Sequence, residues 1–131
     1  MQTSKNLYFI SKMRDYKKLD VWKKAHEAYM FIKKEIVIKF PKEERFELTS
    51  QLNRAALSIP LHIVEGAGRD TDKDFAHFLD GALGSVNEVE YCCFAAYELQ
   101  YVSNENYEKT IKLLNEMRAM LISFLKFLRK N

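Results

Sequence analysis

The sequence predicts an all-α protein, an antiparallel up-and-down four-helix bundle. Apolar residues recur at helical spacing in four segments, and the connections between those segments are short. The chain of 131 residues contains only 4 Gly and 2 Pro, which argues against a turn-rich β-sandwich. Its 47% hydrophobic share excludes a wholly disordered chain, and a single domain of this length can bury a sizeable core.

The first helix is predicted from Asp20 to Lys39, with Asp20 as its N-cap. Phe40-Pro41 ends it, because the residue before a proline avoids the helical conformation. Its apolar stripe consists of Trp22, Ala25, Tyr29, Ile32 and Ile36. The lysines of this segment fall largely outside the stripe.

The second helix is predicted from Lys42 to Gly66, beginning after Pro41 and the acidic pair that follows it. Pro60 lies inside it, and an internal proline removes a hydrogen bond or kinks the helix. Its apolar side is formed by Leu48, Leu52, Ala55, Ala56, Ile59 and Ile63.

The third helix is predicted from Asp72 to Tyr101, with Thr71 or Asp70 as its cap. Small residues interrupt its apolar pattern at one place and predict that a neighbouring helix passes close by; these are Gly81, Gly84 and Ser85.

The fourth helix is predicted from Asn104 to Lys130, with Ser103 as its cap. It carries two adjacent apolar stripes. The first, interrupted by Arg118, consists of Tyr107, Ile111, Leu114, Leu121, Leu125 and Leu128, and the second of Leu113, Met117, Met120, Phe124 and Phe127. Because two stripes are wider than one bundle core requires, the surplus predicts a subunit interface. The predicted domains are a basic N-terminal extension over residues 1–18 and a bundle domain over residues 19–131.

Charge is unevenly distributed along the chain. The net charge is +3, yet residues 1–45 carry about +6, residues 70–108 about −8, and the segment after residue 108 about +5. This arrangement fits complementary packing within one bundle, complementarity between subunits, or a basic surface that faces a polyanion. The sequence leaves these three interpretations open.

The sequence favours a cytoplasmic protein. It has no stretch of about 20 apolar residues and no signal-peptide core. Its 2 Cys, Cys92 and Cys93, are adjacent and therefore poorly placed to bridge each other. We expect both to be buried, reduced thiols.

A polar stripe follows one face of the second helix at steps of three and four residues. It could be a buried network, a ligand or RNA surface, or a solvated face. Arg54 or Arg69 could pair with Glu88 of the third helix, which shares a face with Ser85. The predicted network contains Gln51, Arg54, Ser58, His62, Glu65, Ser85 and Glu88.

An enzyme or metal site is the less favoured alternative. His62 and Glu65, and also Asp74 and His77, stand at helical spacing, as ligands of di-iron bundles do. The first pair is reversed in order, the second uses Asp, and the first helix offers no convincing carboxylate on its stripe. We therefore expect no catalysis, metal or cofactor.

Several segments together carry a family resemblance. They are Leu19-Asp20-Val21-Trp22-Lys23-Lys24-Ala25, Phe40-Pro41-Lys42-Glu43-Glu44, Gln51-Leu52-Asn53-Arg54-Ala55-Ala56, Ser58-Ile59-Pro60, Ile63-Val64-Glu65-Gly66 and Gly84-Ser85-Val86-Asn87-Glu88-Val89-Glu90. The chain resembles the four-helix-bundle proteins of 23S ribosomal RNA intervening sequences, also labelled S23 ribosomal proteins, from about Tyr16 to Lys130. His62 stands where that family usually has Asn, and either residue can donate and accept hydrogen bonds.

The resemblance implies a ring of subunits, typically a homopentamer, with no known catalysis. It also implies similarity to the accessory proteins of diversity-generating retroelements, whose basic barrels bind RNA and a reverse transcriptase. We therefore expect a non-enzymatic oligomer that binds ribosomal or retroelement-type RNA. The predicted RNA-binding residues are Lys23, Lys24, Lys33, Lys34, Arg54 and Arg69. The alternative is a scaffold that binds a protein partner, such as a reverse transcriptase, without touching RNA.

Overall fold

The computed structural model describes residues 14–130 and confirms the all-α four-helix bundle. Helix α1 spans Asp20–Phe31, α2 spans Leu48–Ala67, α3 spans Asp72–Glu98 and α4 spans Asn104–Leu128. Each helix packs on two neighbours, α1 and α3 on both α2 and α4, so α1 lies diagonally across the bundle from α3. The largest fully buried side chains come from all four helices and include Ile32, Leu52, Phe75 and Leu114.

The predicted N-cap of α1 was wrong. Leu19 occupies the N-cap without a side-chain hydrogen bond, and Asp20 is the first helical residue. The α-helical part also ends sooner than predicted, because Ile32–Ile36 form a π-helical turn and Val37–Lys39 a 3₁₀ turn. Ile32 and Ile36 are both buried, so the wider turn still directs the apolar stripe into the core.

The predicted start of α2 was also wrong. Lys42–Glu44 form only a 3₁₀ turn, and Glu47 has φ −116° and ψ −97°, outside the helical region, so the α-helix begins at Leu48. It then continues through Pro60 to Ala67. Pro60 is itself buried, so its packing offsets part of the missing hydrogen bond.

The caps of α3 and α4 agree with the sequence pattern. The hydroxyl of Thr71 accepts from the backbone N–H of Asp74, and that of Ser103 accepts from Asn106, each at 3.1 Å. Helix α3 ends three residues before the predicted Tyr101, and Gln100 adopts a positive φ of 67° in the connection. Helix α4 ends at Leu128 rather than Lys130.

Most of the second apolar stripe of α4 belongs to the core of the monomer. Leu113 and Met117 are buried, and Met120 and Phe124 pack against the core. Of that stripe only Phe127 stays largely exposed, at 69%. Fewer apolar side chains of α4 are therefore left over for a subunit interface than the sequence pattern indicated.

The N-terminal extension is described only from Arg14 onward, and residues 1–13 lie outside the described part. Arg14 donates to the carbonyl oxygen of Arg69 at 2.9 Å and forms an ion pair with Asp72. The ring of Tyr16 meets that of Trp22 edge to face, with centroids 5.1 Å apart. The last part of the extension is thus attached to the bundle.

Candidate functional site

Three residues of the predicted polar network meet between α2 and α3. The Ser58 hydroxyl lies 2.7 Å from the Ser85 hydroxyl and 2.9 Å from His62 Nδ1. Nδ1 also lies 2.8 Å from the Ser58 carbonyl oxygen, which can only accept, so Nδ1 carries the proton. The Ser58 hydroxyl can then donate to Ser85, and the three side chains connect the two helices.

A glycine makes room for this histidine. The His62 ring lies so close to Gly81 that a Cβ at that position would stand 2.5 Å from Cδ2 and 2.6 Å from Nε2. Gly84, by contrast, has no atom within 4 Å of its would-be Cβ. The predicted close approach of a neighbouring helix is therefore present at Gly81, where the His62 side chain of α2 fills the space, and absent at Gly84.

A second, separate network lies toward the start of α2. Gln51 Nε2 donates to Glu88 at 2.8 Å, and Arg54 donates to Gln51 Oε1 at 3.3 Å. The predicted direct pairing of Glu88 with Arg54 or Arg69 was wrong, because the amide of Gln51 lies between Arg54 and Glu88. The guanidinium of Arg69 instead lies 4.8 Å above the ring of Phe78.

Glu65 belongs to neither network. It is exposed, and its carboxylate makes no hydrogen bond with residues 14–130. It lines a shallow groove of about 350 Å³ on the outer face of α2 together with Arg54, Leu57, Ser58, Leu61 and His62. The polar stripe is thus part internal network and part accessible surface.

The lysines of α1 and of the π-helical turn that continues it fall into two environments. Lys23, Lys33 and Lys34 are exposed, although Lys33 donates to Asn53 Oδ1 of α2 at 2.9 Å. Lys24 is half-buried and pairs with Glu116 of α4 at 2.8 Å. Arg54 contacts Gln51 on the outer face of α2 and Arg69 lies over the ring of Phe78 of α3, so the six predicted RNA-binding residues do not share one surface.

The ion pair between Lys24 and Glu116 shifts the pKa of both side chains. The hydrogen bond with Glu116 raises the pKa of Lys24, and a further contact with Glu27 at 3.2 Å acts in the same direction. The same hydrogen bond lowers the pKa of Glu116. Lys24 therefore connects α1 to α4 in the folded monomer.

The two cysteines are buried on α3. Burial raises the pKa of the Cys93 thiol to about 12, and it also raises that of Cys92, with the charge of Glu88 as a smaller cause. A thiol that stays protonated is a poor nucleophile. Across the described part of the chain, no three His, Cys, Asp or Glu side chains converge to hold a metal ion.

The sequence analysis missed the role of Arg118, which it treated only as an interruption of a stripe. Its guanidinium donates to Asn115 of α4 at 2.7 Å and to Asn87 and Glu90 of α3 at 3.2 and 3.0 Å. A charged residue at a core-facing position was the available signal, because such a residue needs a partner on the facing helix.

Large apolar side chains are most exposed at four places, and only Phe127 belongs to a stripe that the sequence analysis assigned to an interface. They are Ile38, Phe46, Tyr91 and Phe127, exposed by 72, 84, 69 and 69%. Among residues 14–130, no helix combines the length and the apolar character that a bilayer span requires.

Comparison with known proteins places this bundle among relatives. A family model described as 23S rRNA-intervening sequence protein matches residues 17–123. A protein of unknown function from the S23 ribosomal protein family of Bacteroides thetaiotaomicron has a crystal structure with a TM-score of 0.72 and 28% identity. That match covers 81% of this chain and 95% of the other. No curated protein matches significantly. Because the family match covers nearly all of the four helices, the chain belongs to the 23S rRNA-intervening sequence protein family.

Proposed function

We propose that this protein is a non-enzymatic, oligomeric bundle that binds RNA through the basic outer surface of α1. The observation that supports this most directly is the exposure of Lys23 on α1 and of Lys33 and Lys34 on the π-helical turn that continues α1. Phosphate neutralisation by such side chains supplies most of the sequence-independent affinity for nucleic acid. The RNA would be ribosomal or of the retroelement type, and the protein would act in the cytoplasm.

The charge distribution across the bundle supports the same surface. Helix α3 carries six acidic side chains and one lysine, Lys73, and lies diagonally opposite α1. Three of these acidic side chains pair with Arg14, Arg118 and Arg129, and the other three leave the α3 side less attractive to a polyanion than the α1 side. In a ring, for which we propose a homopentamer, each basic surface would be repeated around the axis, and the phosphate contacts would add up.

The structure narrows the residues that we assign to RNA. Lys23, Lys33 and Lys34 are accessible, whereas Lys24 is engaged with two carboxylates. Arg54 and Arg69 lie on the α2–α3 side of the bundle. We therefore assign the first contacts to the three exposed lysines.

The test compares two matched charge reversals. Binding of a structured RNA and of duplex DNA is measured by fluorescence anisotropy at low and moderate salt for wild type, Lys34→Glu and Lys73→Glu. Both variants exchange one exposed lysine for glutamate, on opposite sides of the bundle. We expect Lys34→Glu to weaken binding and to lower the slope of log K against log salt by about 0.7–0.9 per lost phosphate contact. Lys73→Glu should leave both unchanged.

Equal effects of the two variants, or binding that does not depend on salt, would contradict direct RNA contact through α1. The second candidate function, a scaffold for a protein partner, would then be favoured. The exposed Ile38, Phe46, Tyr91 and Phe127 support that candidate, since large exposed apolar side chains are typical of interaction surfaces. A reverse transcriptase would be one such partner.

A further inference from the structure

The outer face of α2 has an arrangement that its role in the monomer does not explain. Leu57 and Leu61 are 41% and 45% exposed in the middle of the groove described above. Arg54 lies at one end of this groove and Glu65 at the other. Apolar side chains are thus flanked by one charge of each sign.

Within the described part of the chain, the charges at the two ends of the groove are not used in ion pairs. Among residues 14–130, neither Arg54 nor Glu65 has an oppositely charged group within 4.0 Å. They stand eleven positions apart, about 16 Å along a helix at 1.5 Å per residue. Their separation is too large for pairing with each other, so among residues 14–130 both charges remain available to another molecule.

The spacing of this face is self-complementary under a two-fold rotation. A point midway between Leu57 and Leu61 lies within half a residue of the midpoint between Arg54 and Glu65. If a second α2 packs antiparallel across that point, each Arg54 meets the partner's Glu65, and each Leu57 meets the partner's Leu61. Along the other side of the groove, each Ser58 likewise meets the partner's His62.

A parallel arrangement would bring the two Arg54 side chains together, and the two Glu65 side chains as well, which like charges disfavour. We propose that the outer face of α2 binds a second copy of this chain in an antiparallel, two-fold symmetric contact.

The size of this surface determines how tightly two copies of the chain are expected to pair. Three helical turns cover less than the roughly 1,200–2,000 Å² that standard stable interfaces bury. Single subunits should therefore pair weakly, at high concentration. A ring that presents the same face several times pairs with a second ring more tightly, and the particle then contains an even number of chains.

The test measures particle mass by sedimentation velocity and native mass spectrometry over a wide concentration range. The variants are Arg54→Glu, Glu65→Arg and the double exchange Arg54→Glu/Glu65→Arg. We expect each single reversal to weaken pairing about tenfold or more, because one change affects both symmetric ion pairs. The double exchange should restore the wild-type mass, since the pairs then form with opposite polarity.

Controls separate this contact from folding and from general charge effects. Thermal unfolding by circular dichroism verifies that each variant folds. Lys73→Glu and Glu98→Lys reverse exposed charges near the two ends of α3, away from the groove, and should leave the mass unchanged. Leu61→Ala carries no charge change and should also weaken pairing.

Three outcomes would overturn the proposal. A monomer at every concentration would exclude self-pairing, and a particle with an odd number of chains at the highest concentration would exclude a two-fold contact between rings. Single reversals that weaken assembly without rescue by the double exchange would show that the α2 face meets a different surface. None of these measurements involves RNA, so the proposal is tested separately from RNA binding.

Discussion

His62 depends on the absence of a side chain at Gly81, because a Cβ there would stand 2.5 Å from the imidazole ring. Gly81→Ala should displace the ring from its hydrogen bond with the Ser58 carbonyl oxygen. We expect a loss of about 1–3 kcal/mol in the free energy of unfolding. Urea denaturation measures it.

Gly84→Ala is the matched control, since it makes the same chemical change three residues further along α3. Nothing lies within 4 Å of its new methyl group. It should stabilise the protein by about 0.5–1 kcal/mol, the helix preference of alanine over glycine. If Gly81→Ala were equally stabilising, the proposed steric cause would be wrong. It would also be wrong if Gly81→Ala cost as much stability in a His62→Ala background as in the wild type.

The buried thiol of Cys93 predicts a pH dependence. Its pKa rises from 9.0 to about 12 on folding, chiefly through burial. Below pH 9 the thiol is neutral in both states and its contribution to stability is complete. Between pH 9 and 12 only the unfolded chain loses the proton, so stability should fall by up to about 1.4 kcal/mol per pH unit. Comparing unfolding of wild type and Cys93→Ala at rising pH isolates this slope; equal slopes would exclude it.

At the scale of the elements, Lys24 connects α1 to α4. Lys24→Glu would place a third carboxylate beside Glu27 and Glu116, so we expect the melting temperature to fall by several degrees near neutral pH. Lys34→Glu makes the same exchange at an exposed site and should leave it nearly unchanged. An equal effect of both variants would show that net charge, rather than the ion pair, matters.

The same pair gives the sign of an acid effect. Lys24 lowers the pKa of Glu116 in the folded state, so this interaction stabilises the fold above the unfolded pKa of Glu116. Its contribution disappears as the pH falls through the lowered folded value. Lys24→Met should remove that part of the pH dependence, which thermal melts at acidic and neutral pH can measure.

Element boundaries were predictable where a local signal defined them. Thr71 and Ser103 cap their helices through contacts three residues away, which the sequence displays directly. The start of α2 was not predictable, because Lys42, Glu43 and Glu44 suit either a 3₁₀ turn or the first turn of an α-helix. The end of α1 was not predictable either, because the π-helical turn keeps Ile32 and Ile36 buried, as a continued α-helix would.

At the scale of the whole molecule, the bundle includes more of the chain than the boundary at residue 19 implies. The backbone N–H of Arg14 donates to the Ala67 carbonyl oxygen of α2 at 3.3 Å, the Arg14 guanidinium lies 4.7 Å above the ring of Phe75 of α3, and Tyr16 contacts Trp22 of α1. We predict that a chain of residues 19–131 is less stable than one of residues 14–131 by about 1–3 kcal/mol, through lost aromatic and cation–π contacts. Urea unfolding of the two chains tests this; equal stability would support the boundary at residue 19.

The fold class, the caps of α3 and α4 and the burial of both cysteines follow from the order of the amino acids alone. Periodicity and capping are local properties, and they identify which face of each helix is apolar. The packing of the helices against each other is what makes Gly81 hold His62 while Gly84 stays open, and what pairs Lys24 while Lys34 is accessible. Those distinctions depend on which side chain of a neighbouring helix lies opposite, and the spacing within one helix carries no information about that neighbour.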